Sequence, residues 1–136
     1  MSSSEVRLRW SGEGLAFSGG GADGKQMVLD SEGEQGPSPM QALLLSLAGC
    51  MGVDLCMILQ KSRVPLESLE VVVEGERAER PPRYFRSIRL TCLVRGPGEK
   101  DQAKLERAVE LSRDTYCSVL HTLRPDLHLD IRIQRS

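Results

Sequence analysis

The sequence predicts an α+β fold in one domain spanning residues 1–136, and three observations predict it. Residues 36–62 form one almost uninterrupted apolar segment of helical length. Short stretches of alternating apolar and polar residues lie on both sides of it. A second, amphipathic helical pattern stands near the C-terminus. A chain of 136 residues buries a real core as a single domain. Its formal net charge of −1 and the lack of any lysine or arginine run give no reason to expect a nucleic acid or an anionic membrane as partner.

Residues 5–10 alternate, with Val6, Leu8 and Trp10 on one side and Glu5, Arg7 and Arg9 on the other, which predicts a half-buried strand. A turn at 11–14, a short strand at 15–17 and a glycine-rich turn at 18–25 follow. The three consecutive glycines precede neither a helix nor a Lys-Ser/Thr pair, so they are not read as a phosphate loop. Residues 26–30 are the third strand. Ser38 is placed to cap a helix whose first residue is Pro39. That helix is apolar on every side, interrupted by Gln41, Ser46 and Asp54, and is expected to be buried all round. Its length would also suit a membrane span, but Asp54 within it and its charged, strand-like flanks favour the central helix of a soluble protein. Pro65 ends it. Gly49 and Gly52, near its middle, would let another backbone approach closely.

Residues 69–80 and 85–95 read as a long hairpin turning at Pro81-Pro82, with a charged outer face. A helix over 99–114 carries one inward stripe of Leu105, Ala108, Val109 and Ser112. A short helix over 115–123 follows, ended by Pro125, and residues 127–133 alternate as the last strand.

The chemistry is expected at cysteines. Cys50, Cys56, Cys92 and Cys117 form neither a C-x-x-C pair nor a dense disulfide framework. Residues 1–4 read as a polar start with no signal-peptide pattern, so a cytoplasmic, reducing location is expected, where a cysteine pair is more often catalytic than structural. Cys50 and Asp54 lie one helical turn apart on one face. Cys117, in the run Tyr-Cys-Ser-Val, would fall in the first turn of the short helix if Asp114 or Thr115 caps it, where the helix dipole favours a thiolate. His121 lies one turn on. The plainer reading has Cys117 in the core and His121 half exposed, and an isolated Cys-x-x-x-His favours it. A metal site of Cys50, Cys117 and His121 is short of ligands, so no metal and no cofactor is expected.

Together, Gly36-x-Ser-Pro39, the run ALLLSLAGCMGVD ending at Asp54, RPPRYFRSIRLTCLVRG and SRDTYCSVLHTLRP resemble the OsmC/Ohr family of osmotically inducible and organic hydroperoxide resistance proteins, in its short OsmC-like branch. The resemblance covers nearly the whole chain in order. It implies two antiparallel-rich sheets around a long buried central helix, in an intertwined homodimer. It implies that Cys50 attacks an organic hydroperoxide, that Cys117 resolves the resulting sulfenic acid as a disulfide, and that a dithiol of the lipoyl type restores both thiols. Cys56 and Cys92 are then structural.

Where the family's peroxidases carry Pro-Glu, this chain has Pro39-Met40, and residues 11–14 contain no counterpart of the family's arginine. The expectation is therefore weak, thiol-dependent hydroperoxide reduction by the Cys50–Cys117 pair. The alternative is an OsmC-like dimer that binds a small apolar molecule with little or no peroxidase activity.

Overall fold

The N-terminal alternation folds into an antiparallel sheet of β1 (Val6–Trp10), β2 (Ala16–Gly21) and β3 (Met27–Asp30), in that order. The structure is a computed structural model describing residues 2–136, and the chain divides into two compact units, Met1–Leu43 and Leu44–Ser136. In the first unit β1 is not half-buried as its pattern suggested. All five of its residues are exposed, Val6 at 76% and Trp10 at 59%. β1 is an edge strand paired to β2 alone, and the described residues leave its apolar side uncovered.

The glycine run is strand rather than turn. Gly19, Gly20 and Gly21 pair with Leu8, Arg7 and Val6. A Cβ on Gly19 would strike the Arg7 carbonyl and Leu8, and one on Gly20 would strike the Lys25 carbonyl. Glycine is there for close approach of backbones, and the reversal of the chain moves on to Gly24, whose φ is +83°.

Asp30 ends β3 and orders the loop into the helix. Its carboxylate accepts the backbone N–H of Glu32 at 2.9 Å and of Gln35 at 3.0 Å. Those two donors hold its pKa below the ordinary carboxylate value. Ser38 and Gln41 then form a reciprocal capping box, the Gln41 N–H donating to Ser38 Oγ at 3.2 Å and Ser38 N–H to Gln41 Oε1 at 3.0 Å. Pro39 opens the helix, where a missing N–H costs nothing.

That helix, α1 (Pro39–Lys61), continues through the second unit. It is not buried on every side. Leu47, Met51, Leu55 and Leu59, spaced four apart, form one buried stripe. Leu45, Val53 and Met57 are each more than half exposed. Cys56, expected to be structural, is also exposed. A Cβ added at Gly49 would meet nothing within 4 Å, and at Gly52 the nearest atom would be Val71 Cγ2 at 3.8 Å, so neither glycine meets a close backbone within this chain. The second unit supplies apolar cover for one side of the helix only. By length and composition α1 could cross a membrane, and that length and composition alone are weak evidence for it.

The second sheet holds β4 (Ser68–Arg77), β5 (Phe85–Arg95) and β6 (His128–Arg135) in that order. The β4–β5 pair is the expected hairpin, and β6 runs parallel to β5. Phe85, Ile88, Leu90, Cys92 and Val94 point into the core. Cys92 is 1% exposed, and burial pushes its thiol up to about 11. The helix expected over 99–114 is broken into three parts. A 3₁₀ turn (Glu99–Asp101) leads into α2 (Gln102–Leu111), which buries Leu105, Ala108 and Val109. A π-helical turn (Ser112–Tyr116) follows. The last short helix, α3, is Ser118–Thr122.

Candidate functional site

Cys50 and Asp54 project from one face of α1, as their spacing predicts, and both are partly buried. Across from them, α2 does not stop at a glycine cap but loosens into a π turn. The Cys117 N–H donates to the Ser112 carbonyl at 2.8 Å, an i→i+5 bond that closes this turn. Such turns are uncommon and occur often at functional sites. The bond leaves Cys117 at the N-cap of α3 instead of inside its first turn. There its backbone is extended, and its Sγ accepts the Leu120 N–H at 3.4 Å.

Cys50 and Asp54, both on α1, act electrostatically on the Cys117 thiol. All four cysteines are free. The plainer reading of Cys117, as a core residue, holds, and the alternative of a helix-favoured thiolate does not. Its side chain is 0% exposed, and burial pushes the thiol up to about 11. The Leu120 N–H works the other way, while Cys50 and the negative charge of Asp54 add to the rise. A five-residue helix provides too little dipole to overcome desolvation.

Asp54 is tied to the same structure. Its Oδ2 accepts the hydroxyl of Ser112 at 2.8 Å, across 58 residues of sequence. Ser112 is 0% exposed, so this bond satisfies a hydroxyl that water cannot reach, and a hydrogen bond to a charged group contributes about 1.5–3 kcal/mol. His121 does not face the thiols. It is exposed, and its Nε2 donates to the Arg113 carbonyl at 2.9 Å, bracing the π turn from outside. Ser112 is the residue that sequence reasoning placed only as part of an inward stripe. An inward-facing hydroxyl needing an acceptor was the one available signal.

Arg7 and Arg9 are exposed on β1. A groove of about 540 Å³ is lined by charged side chains including Glu76, Arg77, Arg80 and Arg86, a lining unsuited to an apolar molecule. Among the described residues, no group of three histidine, cysteine, aspartate or glutamate side chains converges as a metal site.

This architecture, two three-stranded sheets with a long helix carrying Cys50 and Asp54, defines a class, and the comparisons agree on it. The chain matches the OsmC-like protein family over residues 31–132, and it belongs to that family. It is 42% identical over 116 residues to Protein YhfA of Escherichia coli (strain K12), a match covering 85% of each chain. The crystal structure of a hypothetical protein from Aquifex aeolicus VF5 superposes with a TM-score of 0.86 at 32% identity, over 100% of this chain and 98% of that one. An organic hydroperoxide resistance protein OsmC from Legionella pneumophila shares the fold, with a TM-score of 0.68 at 15% identity and 98% of each chain covered.

Proposed function

We propose that this chain is a thiol-dependent reductase of organic hydroperoxides, acting through Cys50 and Cys117 as one OsmC-like domain in a homodimer. The observation that carries the reading is the tie from α1 to the turn bearing Cys117, through Asp54 and Ser112, one helical turn from Cys50, joined to membership of a family in which relatives are described as organic hydroperoxide resistance proteins. In the first step the sulfur of Cys50, as thiolate, attacks the terminal oxygen of the hydroperoxide. The O–O bond breaks, the alkoxide leaves and takes up a proton as the alcohol, and Cys50 becomes a sulfenic acid. In the second step the sulfur of Cys117 attacks that of Cys50. The S–O bond breaks, and the oxygen leaves as water with the proton of Cys117. A lipoyl-type dithiol then reduces the disulfide by two exchanges, ending as its own disulfide, which suits a cytosolic, reducing location.

Activity is expected to be weak. Met40 stands where the family's peroxidases carry glutamate, and the 11–14 turn brings no arginine to the attacking thiol. A partner copy is supported by the uncovered apolar residues Leu45, Val53 and Met57 on α1 and Val6, Leu8 and Trp10 on β1.

The test is consumption of cumene hydroperoxide with dihydrolipoamide by the parent, Cys50→Ser and Cys117→Ser. The expected result is turnover by the parent, none with Cys50→Ser, and a single sub-stoichiometric round with Cys117→Ser. Equal background rates in all three overturn the reductase and leave the binding of a small apolar molecule in its place.

A further inference from the structure

We propose that Asp54 is a positioning residue for Cys117: by holding the Ser112 hydroxyl, its carboxylate pins the π turn that carries Cys117 to the turn of α1 that carries Cys50. The proposal rests on reading Cys50 and Cys117 as a reacting pair.

The connections are few and consecutive. Asp54 stands one helical turn beyond Cys50 on α1. Its Oδ2 accepts from Ser112 Oγ at 2.8 Å, and the carbonyl of the same Ser112 accepts the N–H of Cys117 at 2.8 Å. One residue therefore links the carboxylate to the backbone of the second thiol, through two short hydrogen bonds. The far side of the turn is held separately, by His121 Nε2 on the Arg113 carbonyl at 2.9 Å and by the Leu120 N–H on Cys117 Sγ at 3.4 Å. A π turn has weaker internal support than an α-helix, so its shape depends on such outside bonds. Closing a disulfide demands that two sulfurs meet within narrow limits of distance and angle. Loss of the Asp54–Ser112 bond frees the turn at the end that faces α1.

The same carboxylate has an electrostatic effect. The groups that face the Cys117 thiol are Cys50 and Asp54, both from α1, and the Leu120 N–H from α3. The charge of Asp54 favours the protonated form of Cys117. Cys117 thus waits as a thiol, and gives up its proton only to the oxygen that leaves Cys50. One side chain thus holds the turn that carries the resolving thiol and adds to the rise that burial gives its pKa.

Five full-length proteins test this: the parent, Asp54→Asn, Asp54→Ala, Ser112→Ala and the double variant Asp54→Ala/Ser112→Ala. Asparagine keeps an oxygen for Ser112 and removes the charge, whereas alanine removes both. The closure of the Cys50–Cys117 disulfide is driven with diamide, which takes two electrons and two protons from the thiols and becomes the hydrazine. This readout needs no hydroperoxide. Alkylation of Cys117 by iodoacetamide is followed against pH, and circular dichroism confirms folding of each variant. Asp54→Ala and Ser112→Ala are expected to slow closure ~10-fold or more, the cost of misplacing a reacting group. The double variant should be no slower than either single one, because both remove one bond. Asp54→Asn should recover most of the closure rate while its Cys117 alkylation moves to lower pH.

Closure at the parent rate in both Asp54→Ala and Ser112→Ala overturns the proposal and leaves the thiol pair standing. So does an Asp54→Asn variant as slow as Asp54→Ala with an unmoved alkylation profile. If Asp54→Ala does not fold, Ser112→Ala and Asp54→Asn decide by the same criteria. A parent that forms no Cys50–Cys117 disulfide with diamide overturns the pairing itself, and the proposal with it.

Discussion

Cys50, in the middle of α1, helps to raise the pKa of the Cys117 thiol at the N-cap of α3. Cys56 is exposed on α1, and Cys92 is enclosed in β5. Peptide mapping after mild oxidation of the folded protein should therefore find Cys50–Cys117 as the one intrachain bridge. A Cys56–Cys92 bridge would contradict the arrangement, because one partner faces out and the other lies in the core.

The buried thiol of Cys92 makes stability fall in alkali. Its folded pKa, about 11, lies above its ordinary value of 9.0 because burial disfavours the thiolate. The contribution is fully present below the unfolded value and is lost as pH rises through the folded one. Thermal melting of Cys92→Val, which keeps an apolar side chain and cannot ionise, should show a flatter decline between pH 9 and 11 than the parent. Parallel declines would assign the alkaline limb to other groups.

Gly49 separates a lone helix from a paired one. Within one chain a Cβ at this position meets nothing, and replacing a helical glycine with leucine would raise stability by about 0.8–1 kcal/mol through helix propensity alone. If α1 packs against a second copy at Gly49, the same change overfills the contact and costs about 1–3 kcal/mol. Gly49→Leu is expected to lower the melting temperature and shift light scattering toward monomer. A higher melting temperature with unchanged mass would remove α1 from the interface.

Asp30 gives the opposite pH dependence from Cys92. Its carboxyl lies below the ordinary carboxylate value because the N–H groups of Glu32 and Gln35 bond its charged form. That contribution is present above the unfolded value, about 3.9, and is lost as pH falls through the folded value. Asp30→Asn should melt below the parent at neutral pH, and the gap should narrow as the solution is acidified. A constant gap from neutral pH to pH ~3 would mean that the charge of Asp30 contributes nothing.

Local sequence determined much of this protein. The Ser38–Gln41 box and Pro39 start α1 wherever it packs, because the bonds join residues three apart. The alternation from Phe85 to Val94 makes β5 a core strand, since side chains on a strand point to opposite faces by geometry alone. The cysteine contexts and the run through Asp54 carried the family.

Tertiary structure decided the remainder. Gly19 and Gly20 became strand because neighbouring backbones, not their own preference, exclude a side chain. β1 and one side of α1 lie uncovered because apolar pattern records a need for burial without saying which chain meets it. The end of α2 is the clearest case. Residues 99–114 have a helical pattern, and nothing local announces a π turn at Ser112. The turn depends on a hydroxyl reaching a carboxylate 58 residues away, and that bond forms only once α1 and α2 are in place. It also moves Cys117 out of a helical turn and into a buried N-cap, where desolvation outweighs the dipole that its sequence suggested.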